Sequence, residues 1–410
     1  MNSKNKSGVI VIGGGLTGLS TVRCLAKLDI PVEVILTDPD DIAHHSRFVN
    51  KHYDLIDTGY DPEALTGFLE SKIDERKGYF LFPTGDEALA ILSSRRDRLD
   101  GFYKVMAPPW ELTRQILSKD LTYKAAQDAG VDIPRLYGYA SEAKSIIEKI
   151  KFPVVVKPID SRRFVGVFGL KLFVATDKTE LLDCVRRLEE FRLDALIMDL
   201  VPGPDSHFYN YTVYIDRSGE PAAELAIRKL RKSPPFYGVT RVAEIVDANR
   251  LREPTIELLR RIGWRGIASV EYKLDPRDGK YRLMEINGRG FLIQGLAYRA
   301  GINYPLLGWR EYAMGEKVSA RRNDWNGVWI NLLDDLYFGS FHRGIENLGL
   351  DQYLSTYRRP KTYAVWSRTD PAPFVAHFYK QAGKALSAVG SSQYRDKLRN
   401  HVQGMPEYLD

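Results

Sequence analysis

Two short segments carry the side chains with the clearest chemical meaning, 266–275 and 281–290. In the second, Leu283, Glu285 and Asn287 alternate with Met284 and Ile286, which is the period of a strand. A carboxylate and an amide then share one face. The first segment reads as a partner strand, and the run Asp275, Pro276, Arg277, Asp278, Gly279 is turn chemistry. The resulting hairpin brings Glu271 beside Glu285 and Asn287. Carboxylates withdrawn from water are costly unless a cation accompanies them. Three hard oxygen donors on adjacent strands suit Mg²⁺, which takes few protein ligands and completes its octahedron with water and phosphate oxygens. Arg289, just past the strand, can then meet a phosphate or a carboxylate. An amphipathic hairpin with its acids in water would show the same pattern.

Lysines supply a second set of candidates. Phe152, Pro153 and three valines lead into Lys157, a strand too apolar to be exposed. A lysine ending such a strand is desolvated unless it finds an anion, and phosphate is a natural partner. Reaching out to solvent is the other way to resolve it. Lys119 opens a segment of helical spacing that stops at Gly130, with Pro134 beyond.

The acid strand, the turn and the run Met284-Glu285-Ile286-Asn287 followed by Arg289 resemble the metal-binding end of the ATP-grasp fold. The chain is similar in particular to D-aspartate ligase-like carboxylate–amine ligases. Gly288 departs from that pattern, since many members carry Pro there. The resemblance implies ATP with Mg²⁺ (Mn²⁺ as an alternative) held by Glu271, Glu285 and Asn287. It makes Lys119 and Lys157 the two phosphate-facing lysines and gives Arg289 a catalytic role. Residues 161–169 take the place of the loop that closes over the triphosphate, with Arg162 and Arg163 beside the phosphates. Asp199, Leu200 and Val201 occupy the hinge whose backbone meets adenine, and Met284 covers the ring. The family usually has Glu where Asp199 stands. Asp205 is a candidate for the ribose hydroxyls, although Pro202-Gly203-Pro204-Asp205 is also an ordinary turn. In the basic run 228–232, and in Arg241 after the loop, Arg228 and Arg241 are the candidates for substrate carboxylate and acyl phosphate. The implied reaction is ATP-dependent joining of a small carboxylate to an amine through an acyl phosphate.

A rival signal lies at the start of the chain. Val9–Ile12 enters a glycine turn, and Gly13, Gly15 and Gly18 match a dinucleotide fingerprint, with Asp38 twenty residues on. Glycine is also favoured in any tight strand-to-helix turn. A dinucleotide-dependent oxidoreductase and a non-catalytic nucleotide-binding protein are therefore the alternatives. Thr84, Asp86 and Glu87 follow the apolar strand 79–84, where open α/β sheets place ligands.

These sites require elements to hold them. The expected fold is α/β, with a Rossmann-like N-terminal domain over 1–107. An ATP-grasp fold of two α+β subdomains follows, 108–195 and 196–318, and then a helical C-terminal extension, 319–410. Helix 178–191 should turn Leu181, Leu182, Val185 and Leu188 inward. Residues 363–373 resemble a tail feature of the same ligase branch, and 374–402 read as a basic helix. At 410 residues, 44% hydrophobic and 27% charged, the chain is that of a globular protein with ample core. No apolar run reaches the length of a membrane span, and the first residues are not a signal peptide. Two cysteines far apart make neither a disulfide framework nor a metal pattern, so a reducing cytoplasm is expected. The net charge of +6 is spread along the chain and gives no nucleic-acid footprint. The expected partners are small molecules, with room for a homodimer.

Overall fold

The computed structural model describes residues 7–389 apart from Lys27, 234–237 and 342–347. Five strands form a parallel sheet in the order β3-β2-β1-β4-β5. They are β1 (Val9–Ile12), β2 (Val32–Leu36), β3 (Lys51–Asp54), β4 (Phe80–Pro83) and β5 (Lys104–Val105). Every residue of β1, β2 and β4 is buried, as continuous apolar runs covered on both faces must be.

The second sheet has four strands in the order β6-β9-β7-β8, namely β6 (Leu136–Tyr139), β7 (Val154–Pro158), β8 (Phe173–Ala175) and β9 (Ala195–Asp199). Its covering helix, Lys178–Glu190, buries Leu181, Cys184, Val185 and Leu188. Leu182, expected inward, is 39% exposed. The stripe i, i+3, i+4, i+7 from Leu181 selects Cys184 instead.

A third sheet of seven strands runs β14-β13-β10-β11-β12-β15-β16. Its members are β10 (Phe208–Ile215), β11 (Pro221–Ser233), β12 (Val239–Val246), β13 (Gly266–Asp275), β14 (Lys280–Asn287), β15 (Val328–Ile330) and β16 (Lys361–Tyr363). The last two add strands to what was expected as a helical extension over 319–410. Val328, Trp329 and Ile330 are wholly apolar and buried, and β15 pairs with β12 through Val242 and Ile330. That sheet therefore crosses the expected boundary at 318. The tail then forms helix Ala372–Val389, while the rest of the basic stretch to 402 lies outside the described residues.

The first and third sheets share one core. Val9, Val11, Phe80 and Phe82 join a cluster with Tyr214, Ile227, Phe291, Leu296 and Trp329. The first sheet is thus held against the third. Among the described residues no helix is long and apolar enough to cross a membrane.

Candidate active site

Strand β14 does not alternate as its sequence suggests. Glu271 pairs with Glu285 and Tyr272 with Leu283, so the register skips Met284 and a bulge forms there. Leu283 and Ile286 consequently enter the core, whereas Met284, Glu285 and Asn287 all line one cleft. The expected division, with Leu283 beside Glu285 and Met284 on the opposite face, is corrected by that extra residue.

The cleft has a volume of about 570 Å³ and lies between the second and third sheets, with Thr17, Thr84 and Asp86 of the first domain at one end. Glu271 stands directly opposite Glu285, and Ser269 opposite Asn287. The Lys229 ammonium contacts the Glu271 carboxylate. Glu285 is open to the cleft, whose walls by desolvation alone would raise its carboxyl. Lys157, Lys229, the Asn287 amide and Lys171 outweigh that effect and hold the group down at about 2. Asn287 donates from Nδ2 to Glu285 Oε1 at 3.0 Å and accepts from Arg289 at 2.8 Å. Arg289 also donates to Asp86 at 2.9 Å, tying the strand end to the turn at 84–87. Burial opposes the Arg289 charge, but Asp86 and Glu285 keep its pKa above the ordinary value.

Among the described residues no three His, Cys, Asp or Glu side chains come together as a metal set. Two carboxylates and amide oxygens fit Mg²⁺ only if phosphate and water supply the remaining positions, which is its usual habit. The Glu271–Lys229 contact fits that reading, because the acid facing the cleft already draws a cation to itself.

The two predicted lysines both reach this cleft. Lys157 donates to the Met284 carbonyl at 2.7 Å and to the Tyr123 hydroxyl at 2.9 Å. Its burial disfavours charge, yet Tyr123, Glu285 and Glu271 together raise its pKa. Lys119 lies at the first turn of helix Lys119–Asp128 and donates to Ser161 Oγ at 2.8 Å. Burial, then the neighbouring Lys157, lower it to about 8. Segment 161–169 is not a loop here. Ser161–Phe168 is a helix capped by Asp160, whose carboxylate accepts from the Arg163 N–H, and it closes on a left-handed Gly169. Asp160 N-caps and Gly C-caps are the signals that outweighed its two glycines.

Asp199, Leu200 and Val201 all line the cleft. Asp199 pairs with Arg277 at 2.6 Å. Besides Lys229, three further lysines that the sequence did not single out line the cleft. Lys273 donates to the Val201 carbonyl at 2.7 Å, and Lys232 lies 3.8 Å above the Phe208 ring. Burial followed by Lys232 lowers Lys273 to about 7, and burial followed by Lys229 lowers Lys232 to about 8. Lys171 is lowered by burial as well. Lys273 is two residues beyond Glu271 on one strand face, a period that could have flagged it.

Other expected contacts are not made. Arg228 is outside the cleft lining and pairs with Glu244. Arg241 is fully buried, pairing with Asp335 at 2.8 Å and donating to the Lys232 carbonyl. Lys229 faces the cleft by plain alternation, opposite to Arg228, and the register shifts at Lys229/Arg231 and Arg231/Lys232 bring Lys232 to the same side. Asp205 is buried outside that lining, and its carboxylate accepts the Lys232 N–H at 2.8 Å. It ties the 202–205 turn to β11. Residues 234–237 of the adjoining loop lie outside the described residues.

The glycine fingerprint borders a separate cavity of about 480 Å³, lined by Gly13, Gly15, Asp38, Asp41 and, from the tail, Lys380. Packing accounts for Gly18, where a Cβ would fall 2.2 Å from the Gly13 carbonyl oxygen. Likewise a Cβ on Gly288 would fall 2.3 Å from both Trp264 and Ile116, so the residue between Asn287 and Arg289 is chosen by the core beneath it.

No family model matches the chain. A D-aspartate ligase of Enterococcus faecium is 25% identical over 251 residues, 56% of this chain and 59% of that ligase. The chain thus spans about three fifths of the length of that relative. An L-amino acid ligase from Bacillus licheniformis superposes with a TM-score of 0.59 at 16% identity, covering 76% of this chain and 75% of that one. An N5-carboxyaminoimidazole synthetase from Staphylococcus aureus, complexed with ADP, gives 0.63 at 13% identity, covering 84% and 88%. At such identities the solved structures establish the fold. Together with the sequence relative, they make the chain similar to ATP-grasp carboxylate–amine ligases.

Proposed function

We propose that the protein is an ATP-dependent carboxylate–amine ligase that forms an amide or peptide-like bond, acting on an amino acid or similar small acid. The observation carrying this reading is the pairing of Glu271 with Glu285 in a cleft whose walls present Lys119, Lys157, Lys229 and Arg289. The D-aspartate ligase relative, and the ADP bound in the synthetase neighbour, support the substrate class and the nucleotide. In this reading the first sheet is a Rossmann-like domain closing the cleft, and the enzyme works in the cytoplasm.

Glu271 and Glu285, with an amide oxygen, would hold Mg²⁺, which when bound neutralises charge on the phosphate oxygens. Lys119 and Lys157 are fixed cations that bind and orient the triphosphate, an electrostatic preorganisation. The adenine edge would meet the backbone of Asp199–Val201, with Met284 over the ring. Lys273 already bonds to that hinge, so the base would lie beside its ammonium. Arg289, fastened to Asp86, would orient the substrate carboxylate at the first domain's end. An oxygen of that carboxylate bonds to the γ-phosphorus and ADP departs. The amine nitrogen then bonds to the carbonyl carbon, phosphate leaves, and the amine gives up its proton.

The test is a phosphate-release screen of amino acids against amine acceptors, with product masses determined. Active mixtures should yield ADP and inorganic phosphate. AMP with pyrophosphate would mean adenylation and would overturn the acyl-phosphate route.

A further inference from the structure

Asn210, at the centre of the third sheet, has half of its hydrogen bonding unaccounted for. It lies in β10 directly beside Glu271 of β13, lines the cleft, and is only 6% exposed. Its Nδ2 donates to Ser269 Oγ at 3.0 Å, and Ser269 Oγ is itself 3.1 Å from Thr212 Oγ1. That chain fixes the amide. The other end, Oδ1, is buried and has no hydrogen-bond partner. Buried acceptors in native proteins are rarely left so, and an exception asks for a group absent from the protein itself.

Asn287, by contrast, is engaged at both ends, by Glu285 and by Arg289. The unengaged amide oxygen beside the two carboxylates is therefore that of Asn210. A carboxamide oxygen is a hard, neutral donor suited to Mg²⁺ or Mn²⁺ and unsuited to soft metals. Lys229, in contact with Glu271, neutralises the acid until a divalent ion replaces it, and its flexible stem can then turn to phosphate.

Resting on the ligase reading above, we infer that Asn210 contributes its Oδ1 to the coordination of the divalent cation held by Glu271 and Glu285. The position is then a metal ligand on a third strand, and the ion is gripped across β10, β13 and β14.

The experiment is a titration of the full-length protein, saturated with ADP, with Mn²⁺, following free Mn²⁺ by electron paramagnetic resonance. Asn210→Leu, Asn210→Asp and Glu285→Gln are compared with the wild type, and melting curves report folding. Asn210→Leu should weaken Mn²⁺ binding by roughly tenfold or more, and Asn210→Asp should strengthen it, with ADP affinity in EDTA unchanged. If Asn210→Leu does not fold, the nearly isosteric Asn210→Asp decides alone. Affinity within about twofold of wild type in folded Asn210 variants, with Glu285→Gln binding lost, overturns the inference and leaves the ligase reading standing. If Glu285→Gln also binds normally, the metal site itself is misassigned and the inference falls with it.

Discussion

Glu285 is open to the cleft and keeps its charge because Lys157, Lys229, Asn287 and Lys171 outweigh the desolvation by the cleft walls, and that balance defines what each residue of the cleft can be asked to do. Glu285→Gln preserves size and hydrogen-bonding capacity while deleting the charge. Turnover in the phosphate-release assay should fall by roughly two orders of magnitude, with the melting temperature close to wild type. Full activity would remove Glu285 from the chemistry. The lysines make a second prediction. Lys273 at about 7, with Lys232 and Lys119 at about 8, have lost much of their charge in the nucleotide-free protein at pH 8. An arriving polyphosphate favours the protonated forms and raises those pKa values. ADP binding at pH 8 should take up protons, and affinity should weaken as pH rises through 7 to 9. Calorimetry in buffers of different ionisation enthalpy reads the proton number, and a value of zero would contradict the assignment. Residue types alone made Glu271, Glu285, Asn287 and Lys157 legible, because acids and a lysine on apolar strands need partners. Lys232 was hidden because register shifts in β11 break the alternation that reveals a face.

At the scale of elements, two arginines behind the cleft fasten strands to a helix. Arg231 and Arg241 both grip Asp335, a fully buried carboxylate on helix Leu332–Phe341 that also accepts from Tyr357 at 2.6 Å. The cluster joins β11, β12 and that helix behind the lysine wall. Removing one partner strands the opposite charges in the core. Asp335→Leu should cost about 3–5 kcal/mol in urea unfolding, and an unchanged midpoint would show the cluster to be dispensable. Arg241 was legible as a cation and illegible as a structural one, since its partner lies 94 residues away. Helix Ser161–Phe168 has a different status. Phe164 is buried while Val165 and Val167 are exposed at 43% and 42%, beside the Lys119 contact to Ser161. Such a lightly anchored element, next to Lys119 at the cleft, suits a closing cover in the proposed reading. Tryptic cleavage after Arg162 or Arg163 should slow when Mg-ATP is added, and equal rates would count against the cover.

For the molecule as a whole, the tail binds the first sheet to the third. The sequence marked 363–373 only as a familiar feature, and its partners could not be read, because they lie more than 300 residues earlier. Asp370, 1% exposed, accepts from Arg23 Nε at 2.9 Å, from the Ser46 hydroxyl at 2.8 Å and from the Arg47 N–H at 3.0 Å. Arg23 reaches further, to the carbonyls of Val365 at 2.7 Å and Asp370 at 2.9 Å. β16, just before this point, is the edge strand of the third sheet, so one carboxylate links that edge to the first domain. Asp370→Ala removes the shared acceptor and leaves the guanidinium with backbone carbonyls alone. The expected loss is about 2–4 kcal/mol, and because several sheets need not melt together, it is best read locally. Hydrogen exchange should accelerate first in 361–383 and in 42–50, with β13 and β14 unaffected. In a double-mutant cycle, Arg23→Ala and Asp370→Ala should be strongly non-additive, since each removes the other's partner. Additive effects, or exchange that rises equally across all three sheets, would show that the contact is incidental and that the shared apolar core alone holds the first domain over the cleft.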